Sequence, residues 1–106
     1  MAIVKGIALI TGSAQGIGRG IALRLAKDGF DIALNDVSSK RDQLCAVADD
    51  IEKIGRRTLL VPGDVSVDGE VKGMVQDVSK ELGGLDVVSI YTTSIKRVPE
   101  YLFRRW

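Results

Sequence analysis

The chain has 106 residues and a mass of 11.4 kDa, with 45% apolar and 27% charged residues, which fits one small folded domain and excludes a disordered chain. Fifteen Lys and Arg stand against fourteen Asp and Glu, a formal charge of +1, so the chain as a whole has no basic footprint for nucleic acid. Histidine is absent and Cys45 is the one cysteine, which excludes imidazole bases, Cys–His nucleophiles, an internal disulfide and any cysteine-built zinc site.

Short apolar runs then alternate with amphipathic stretches. Residues 6–11 (GIALIT) are a continuous apolar run ahead of a glycine turn, the pattern of a strand buried on both faces. Lys5 and Gly6 interrupt the apolar start and no cleavage-site pattern follows, so it reads as a core strand and not as a signal peptide. Residues 16–28 have helical spacing, with Ile17, Ile21, Ala22 and Leu25 toward one side and Gly29 as the stop. Residues 31–36 (DIALND) predict a second strand. Ser38 or Ser39 is placed to cap a helix through about Ile54, whose inward stripe is Leu44, Val47, Ala48 and Ile51. Cys45, beside that stripe, is expected to be a small core residue. Gly55 ends this helix, and residues 58–61 predict a third strand. Val67, Val71, Met74, Val75, Val78 and Leu82 give the clearest helical stripe, closed by Gly83 and Gly84. Residues 85–90 begin a fourth strand. No apolar run approaches the length of a membrane span, so no membrane partner is expected, and a reducing cytoplasm is the default compartment.

This order reads β-α-β-α-β-α-β. Alternation of that kind predicts an α/β fold with a parallel sheet, the N-terminal half of a Rossmann-type doubly wound sheet with strand order 3-2-1-4. Composition divides the chain in two. Residues 1–91 carry 11 basic and 13 acidic side chains; residues 92–106 carry Lys96, Arg97, Arg104 and Arg105 against Glu100 alone. Tyr91, Tyr101, Phe103 and Trp106, four of the five aromatics, lie in the last sixteen positions. The expected organisation is a partial nucleotide-binding domain over 1–91 and a separate tail over 92–106.

The first strand meets the first helix through Thr11-Gly12-Ser13-Ala14-Gln15-Gly16-Ile17-Gly18. Gly12 suits a tight turn, Gly16 a close approach of backbone to a pyrophosphate, and Gly18 close packing of helix on strand. The helix N-terminus then offers N–H groups and the positive end of a dipole to an anion. Strand before, helix after and an acid at the end of the next strand are the context such a motif requires. That acid is Asp36, placed to accept hydrogen bonds from ribose hydroxyls and to repel a 2′-phosphate; a helix-capping acid is the competing reading. Asp64, before Val65 at the end of the third strand, is suited equally to an adenine edge or to capping the next helix.

Thr11-Gly12-xxx-Gly16-x-Gly18 resembles the cofactor motif of the short-chain dehydrogenases/reductases. Asp64-Val65 is similar to that family's adenine-contacting pair, and Leu85-Asp86-Val87 to the opening of its fourth strand. The stretch from Gly16 to Phe30 is similar to the acetoin/diacetyl reductase branch. The resemblance implies NAD(P)-dependent oxidoreduction of alcohols and carbonyls. It implies cofactor contacts at Gly12, Ser13, Gln15, Gly16, Ile17, Gly18, Asp36, Asp64 and Val65. Family members that use NADP carry a basic residue in the glycine turn or just after the second strand. Here Gln15 and Val37 stand in those places, so NAD is expected and NADP disfavoured. Lys40 and Arg41 are expected to be solvated charges on a helix face.

The resemblance at motif level stops after Val88. The family continues into Asn-Asn-Ala-Gly, where this chain has Ser89-Ile90-Tyr91-Thr92. No residues match the family's Ser, Tyr-x-x-x-Lys active site: Tyr91 and Lys96 are spaced one residue too far apart. The expectation is a cofactor half-site with no catalytic residues and no metal ligands, and with self-association through an exposed fourth strand. The competing expectation is a non-enzymatic interaction module, or a non-functional product, with a basic and aromatic tail. Val88-Ser89 can be encoded by GTA-AGT, an intron-start consensus, which makes read-through into an intron a further expectation for the tail.

Overall fold

The computed structural model describes residues 4–65 and 67–89. Among the described residues four strands and three helices alternate: β1 (Gly6–Ile10), α1 (Gly16–Asp28), β2 (Phe30–Leu34), α2 (Arg41–Ile54), β3 (Thr58–Leu60), α3 (Asp68–Leu82) and β4 (Val87–Ser89). A single 3-10 turn, Ser38–Lys40, leads into α2. All strand pairs are parallel and the order is β3-β2-β1-β4. This is the α/β, Rossmann-type half-sheet that the alternation predicts.

The sheet separates two cores by the two-residue period of its strands. Ile7, Leu9 and Ala33 face Val71, Met74, Val75, Val78 and Leu82 of α3. Ala8, Ile10, Ile32 and Leu34 face α1 and α2, against Ala22, Ala26, Leu44, Val47 and Ile51. The central strand is therefore apolar on both sides, the reason that residues 7–10 read as an unbroken run. Ladder pairing runs from Gly6–Phe30 to Ile10–Leu34 and stops there. Asn35 and Asp36, expected inside the second strand, lie just past its end, and the Asn35 carbonyl turns away to the glycine turn.

Several side chains depart from their expected places. Ile17 is 59% exposed, and the inward line of α1 is Gly18, Ala22 and Ala26. Small residues at that spacing let the helix lie close on the sheet and leave Ile21 and Leu25 at its flanks. Cys45 is exposed: one residue beyond Leu44 is about 100° of helix rotation, enough to leave the inward stripe. Val67, expected in the α3 stripe, is the helix's N-cap and is exposed. Neither Ser38 nor Ser39 caps α2, because the helix starts only at Arg41 and Lys40, the last residue of the 3-10 turn, takes the N-cap position. Ile90 and the tail over 92–106 lie outside the described residues. No helix among the described residues is long and apolar enough to cross a membrane.

At the sheet's N-terminal end a polar cluster joins the layers. Asp31 is fully buried and accepts Arg57 Nε at 2.8 Å and Arg57 N–H at 3.0 Å, with Arg56 Nε 3.9 Å away. Arg57 also donates to the Leu82 carbonyl, and Arg56 to the Gly29 carbonyl. The Asp86 carboxylate closes β1 to the entry of β4 by accepting the Ile7 N–H at 2.9 Å.

Candidate functional site: a cleft at the C-terminal edge of the sheet

The turn after β1, the exit of β2 and the exit of β3 converge at one edge of the sheet. Gly12 and Gly16 both have φ of 61°, a left-handed conformation that favours glycine. A Cβ on Gly18 would lie against the Gly12 carbonyl oxygen, 2.7 Å from the Gly12 carbonyl carbon and 3.2 Å from Ser13 Cα. Gly18 is thus required by the turn itself, folded back over the first turn of α1. A Cβ on Gly16 would meet nothing within 4 Å. Open space therefore lies over the backbone where a diphosphate would approach.

The N-terminus of α1 receives no side-chain cap, and its first turn holds no acid. Its N–H groups and dipole are thereby left to an anionic ligand. Gln15, the N-cap residue, is exposed. Its Oε1 accepts Lys40 Nζ and Gln43 Nε2, each at 3.3 Å. Lys40, expected to be a solvated charge on a helix face, lies in the 3-10 turn and reaches Gln15 through this exposed hydrogen bond.

Asp36 joins the turn to the exit of β2. Its two oxygens accept the Ala14 N–H at 3.2 Å and the Val37 N–H at 2.8 Å. Gly12, Asn35, Asp36, Val37, Gly63, Asp64 and Val65 line a small cleft of about 30 Å³. An adjoining hollow of about 330 Å³ lies between Val37, Ser38, Pro62, Gly63, Asp64 and Glu70. The Asp64 carbonyl accepts the Val67 N–H at 3.0 Å and its N–H donates to Glu70 Oε1 at 3.4 Å, so the segment turns tightly into α3.

The cleft thus brings together Gly12, Asp36, Asp64 and Val65, with Gln15, Gly16 and Ile17 exposed at the α1 end. Gly18 and Ser13 lie beneath the surface. Ser13 is fully buried and gives both its N–H and its Oγ to the Asn35 carbonyl. Sequence reasoning passed over Asn35. Its one signal was a polar residue at the end of an apolar run. An open diphosphate approach, an uncapped helix start and a carboxylate beside the turn together fit a dinucleotide.

The family model of the short chain dehydrogenases matches residues 6–101, which carries the likeness beyond Val88. The short-chain dehydrogenase/reductase eriH of Hericium erinaceus is 48% identical over 86 residues, covering 79% of this chain and 34% of eriH. The L-2,3-butanediol dehydrogenase of Corynebacterium glutamicum is 38% identical over 82 residues, covering 77% of this chain and 32% of that protein. Among solved structures, carveol dehydrogenase from Mycobacterium avium in complex with NAD superposes with a TM-score of 0.74 at 30% identity, over 81% of this chain and 35% of that one. The chain spans about a third of the length of these relatives. Fold, glycine turn and family match agree: the chain belongs to the short-chain dehydrogenase family.

Proposed function

We propose that residues 4–89 hold the adenosine and diphosphate part of a nicotinamide dinucleotide, NAD in preference to NADP, for the family's oxidoreduction of alcohols and carbonyls. What carries the reading is the meeting of Gly12, Asp36, Asp64 and Val65 around one cleft beside the uncapped start of α1. In it, Gly12 and Gly16 keep the diphosphate approach clear, Ile17 covers it from the first turn of α1, and Gln15 borders it. Gly18 and Ser13 support the turn from below. Asp36 meets the ribose hydroxyls, and Asp64 and Val65 meet the adenine. Bound dinucleotide supplies or accepts the hydride.

No side chain of this chain matches the family's Ser-Tyr-Lys set, so the 106 residues alone bind without turnover. A nicotinamide dinucleotide pool and the exposed thiol of Cys45 both suit a cytoplasmic setting. Similarity to a butanediol dehydrogenase supports a small hydroxyketone or diol as the substrate class of the branch.

The test is titration of the chain with NAD, NADP and ADP, followed by calorimetry and thermal unfolding. NAD and ADP should bind and raise the melting temperature, and NADP should bind more weakly. NADH should not be oxidised in the presence of diacetyl, acetoin or a panel of ketones. Absence of binding by all three nucleotides overturns the reading.

A further inference from the structure

Asn35 sits between the two halves of the cleft and is 1% exposed. Its carbonyl oxygen accepts the Ser13 N–H at 2.9 Å and the Ser13 Oγ at 3.1 Å, which anchors the glycine turn. Its side chain serves the other half. Nδ2 donates to the Val61 carbonyl at 2.8 Å and the Gly63 carbonyl at 3.3 Å, and lies 2.9 Å from Met74 Sδ. Three electron-rich atoms around this position fix the orientation of the amide, because the amide oxygen there would face three acceptors. The segment held in this way brings Gly63, Asp64 and Val65 to the cleft. Glu70 holds the same segment from the surface through the Asp64 N–H.

We propose that Asn35 is the positioning residue of the dinucleotide cleft, its main chain setting the phosphate turn and its side chain setting the purine wall. One buried residue then fixes the spacing between the two ends of the ligand. The proposal rests on the reading of the cleft as a dinucleotide site. Its distinctive consequence is a split between the two ends. A substitution at Asn35 keeps the carbonyl that holds Ser13 and removes the amide that holds Val61 and Gly63. Purine binding should therefore fall while anion binding at the turn persists.

The experiment uses the full chain and three probes, pyrophosphate, adenosine and ADP, with melting temperatures in parallel. Asn35→Ser should weaken adenosine and ADP about tenfold, the scale of one lost buried hydrogen bond, and leave pyrophosphate within about twofold. Glu70→Ala, at an exposed position that tolerates substitution, should give the same split at about threefold, and it carries the test alone if the Asn35 variant does not fold. A purely structural role would lower the melting temperature and weaken all three probes together. That result, or an unchanged adenosine affinity, overturns the proposal while leaving the cleft reading intact. Failure of the wild-type chain to bind ADP overturns both.

Discussion

Ser13 and Asn35 are joined twice through one atom. The Asn35 carbonyl oxygen accepts both the N–H and the hydroxyl of Ser13, at 2.9 and 3.1 Å, and both residues are buried. The glycine turn, the part of the cleft with the least side-chain mass, is thereby tied to the end of the neighbouring strand. Ser13→Ala removes one of the two bonds and leaves the carbonyl paired with the N–H. The expected cost is about 1 kcal/mol, a fall of several degrees in melting temperature. Since Ser13 has no exposed surface and its N–H still holds the turn to the Asn35 carbonyl, affinity for NAD should stay within about twofold. A large loss of affinity with little loss of stability would assign Ser13 to direct contact with the dinucleotide.

The three glycines of α1 should respond differently to alanine. Gly18→Ala forces a Cβ onto the Gly12 carbonyl, which is backbone and cannot step aside. The turn must open, at an expected cost of about 2–3 kcal/mol, with loss of nucleotide binding. Gly16→Ala meets no atom but keeps a φ of 61°, so its stability cost should be about 1 kcal/mol and its main effect on NAD affinity. Gly20 is helical, exposed and unobstructed, so Gly20→Ala should raise stability by up to about 1 kcal/mol and leave binding unchanged. Chemical denaturation and calorimetry on the three variants check the order.

Cofactor preference should follow Asp36. Its carboxylate lies beside the cleft with one oxygen on the Ala14 N–H and the other on the Val37 N–H. A 2′-phosphate placed beside it meets a like charge, which costs on the order of 1–3 kcal/mol. Wild type should prefer NAD by about tenfold or more, and Asp36→Ala should narrow that gap. The variant also frees the Ala14 and Val37 N–H groups, and with Lys40 in reach of Gln15 it should gain affinity for NADP in absolute terms. Equal affinities of wild type for the two cofactors would exclude Asp36 as the selecting group.

What was legible in the sequence was local. Alternating apolar periods showed the order of strands and helices along the chain, and three glycines at fixed spacing located the turn and the acid that follows it. The polar residues that hold the layers together were not legible. Asp31 meets Arg57 across 26 positions, Asn35 meets Met74 across 39, and Asp86 meets Ile7 across 79. No local period marks such pairs; within their own segments they are interruptions of an apolar run. Ile17 and Cys45 were misplaced for a different reason. Apolar identity locates a helix face only coarsely, and each residue advances the face by about 100°.

The buried carboxylate of Asp31 supplies a prediction remote from the cleft. Asp31 accepts two hydrogen bonds from Arg57 and has Arg56 in ion-pair range. Removing it leaves the Arg57 N–H without its acceptor and takes the counter-charge from two guanidinium groups, which keep their bonds to the Leu82 and Gly29 carbonyls. Arg57 is 60% exposed and can turn to water, so the cost falls below that of a fully buried pair. Asp31→Ala should lose about 2–3 kcal/mol of stability, and Asp31→Asn less, since one acceptor oxygen remains. In conditions where both variants are folded, NAD affinity should equal that of wild type. A change in affinity at matched folding would mean that the two ends of the sheet are coupled.

The last expectation concerns β4. Among the described residues it pairs with β1 alone, through Val87 and Val88 opposite Ala8 and Leu9, and it stands at one end of the sheet order. An edge strand presents unpaired N–H and C=O groups to any other chain. We propose that copies of this chain associate through that edge, so sedimentation should show oligomers that grow with concentration. In a parallel ladder, successive residues turn their N–H groups to opposite sides. Of Val87→Pro and Val88→Pro, one therefore removes a bond to β1 and the other only a donor at the free edge. The first should lower the melting temperature. The second should keep the transition and give monomers. A wild type that sediments as a monomer at all concentrations would rule out association through β4, as would two proline variants that behave alike.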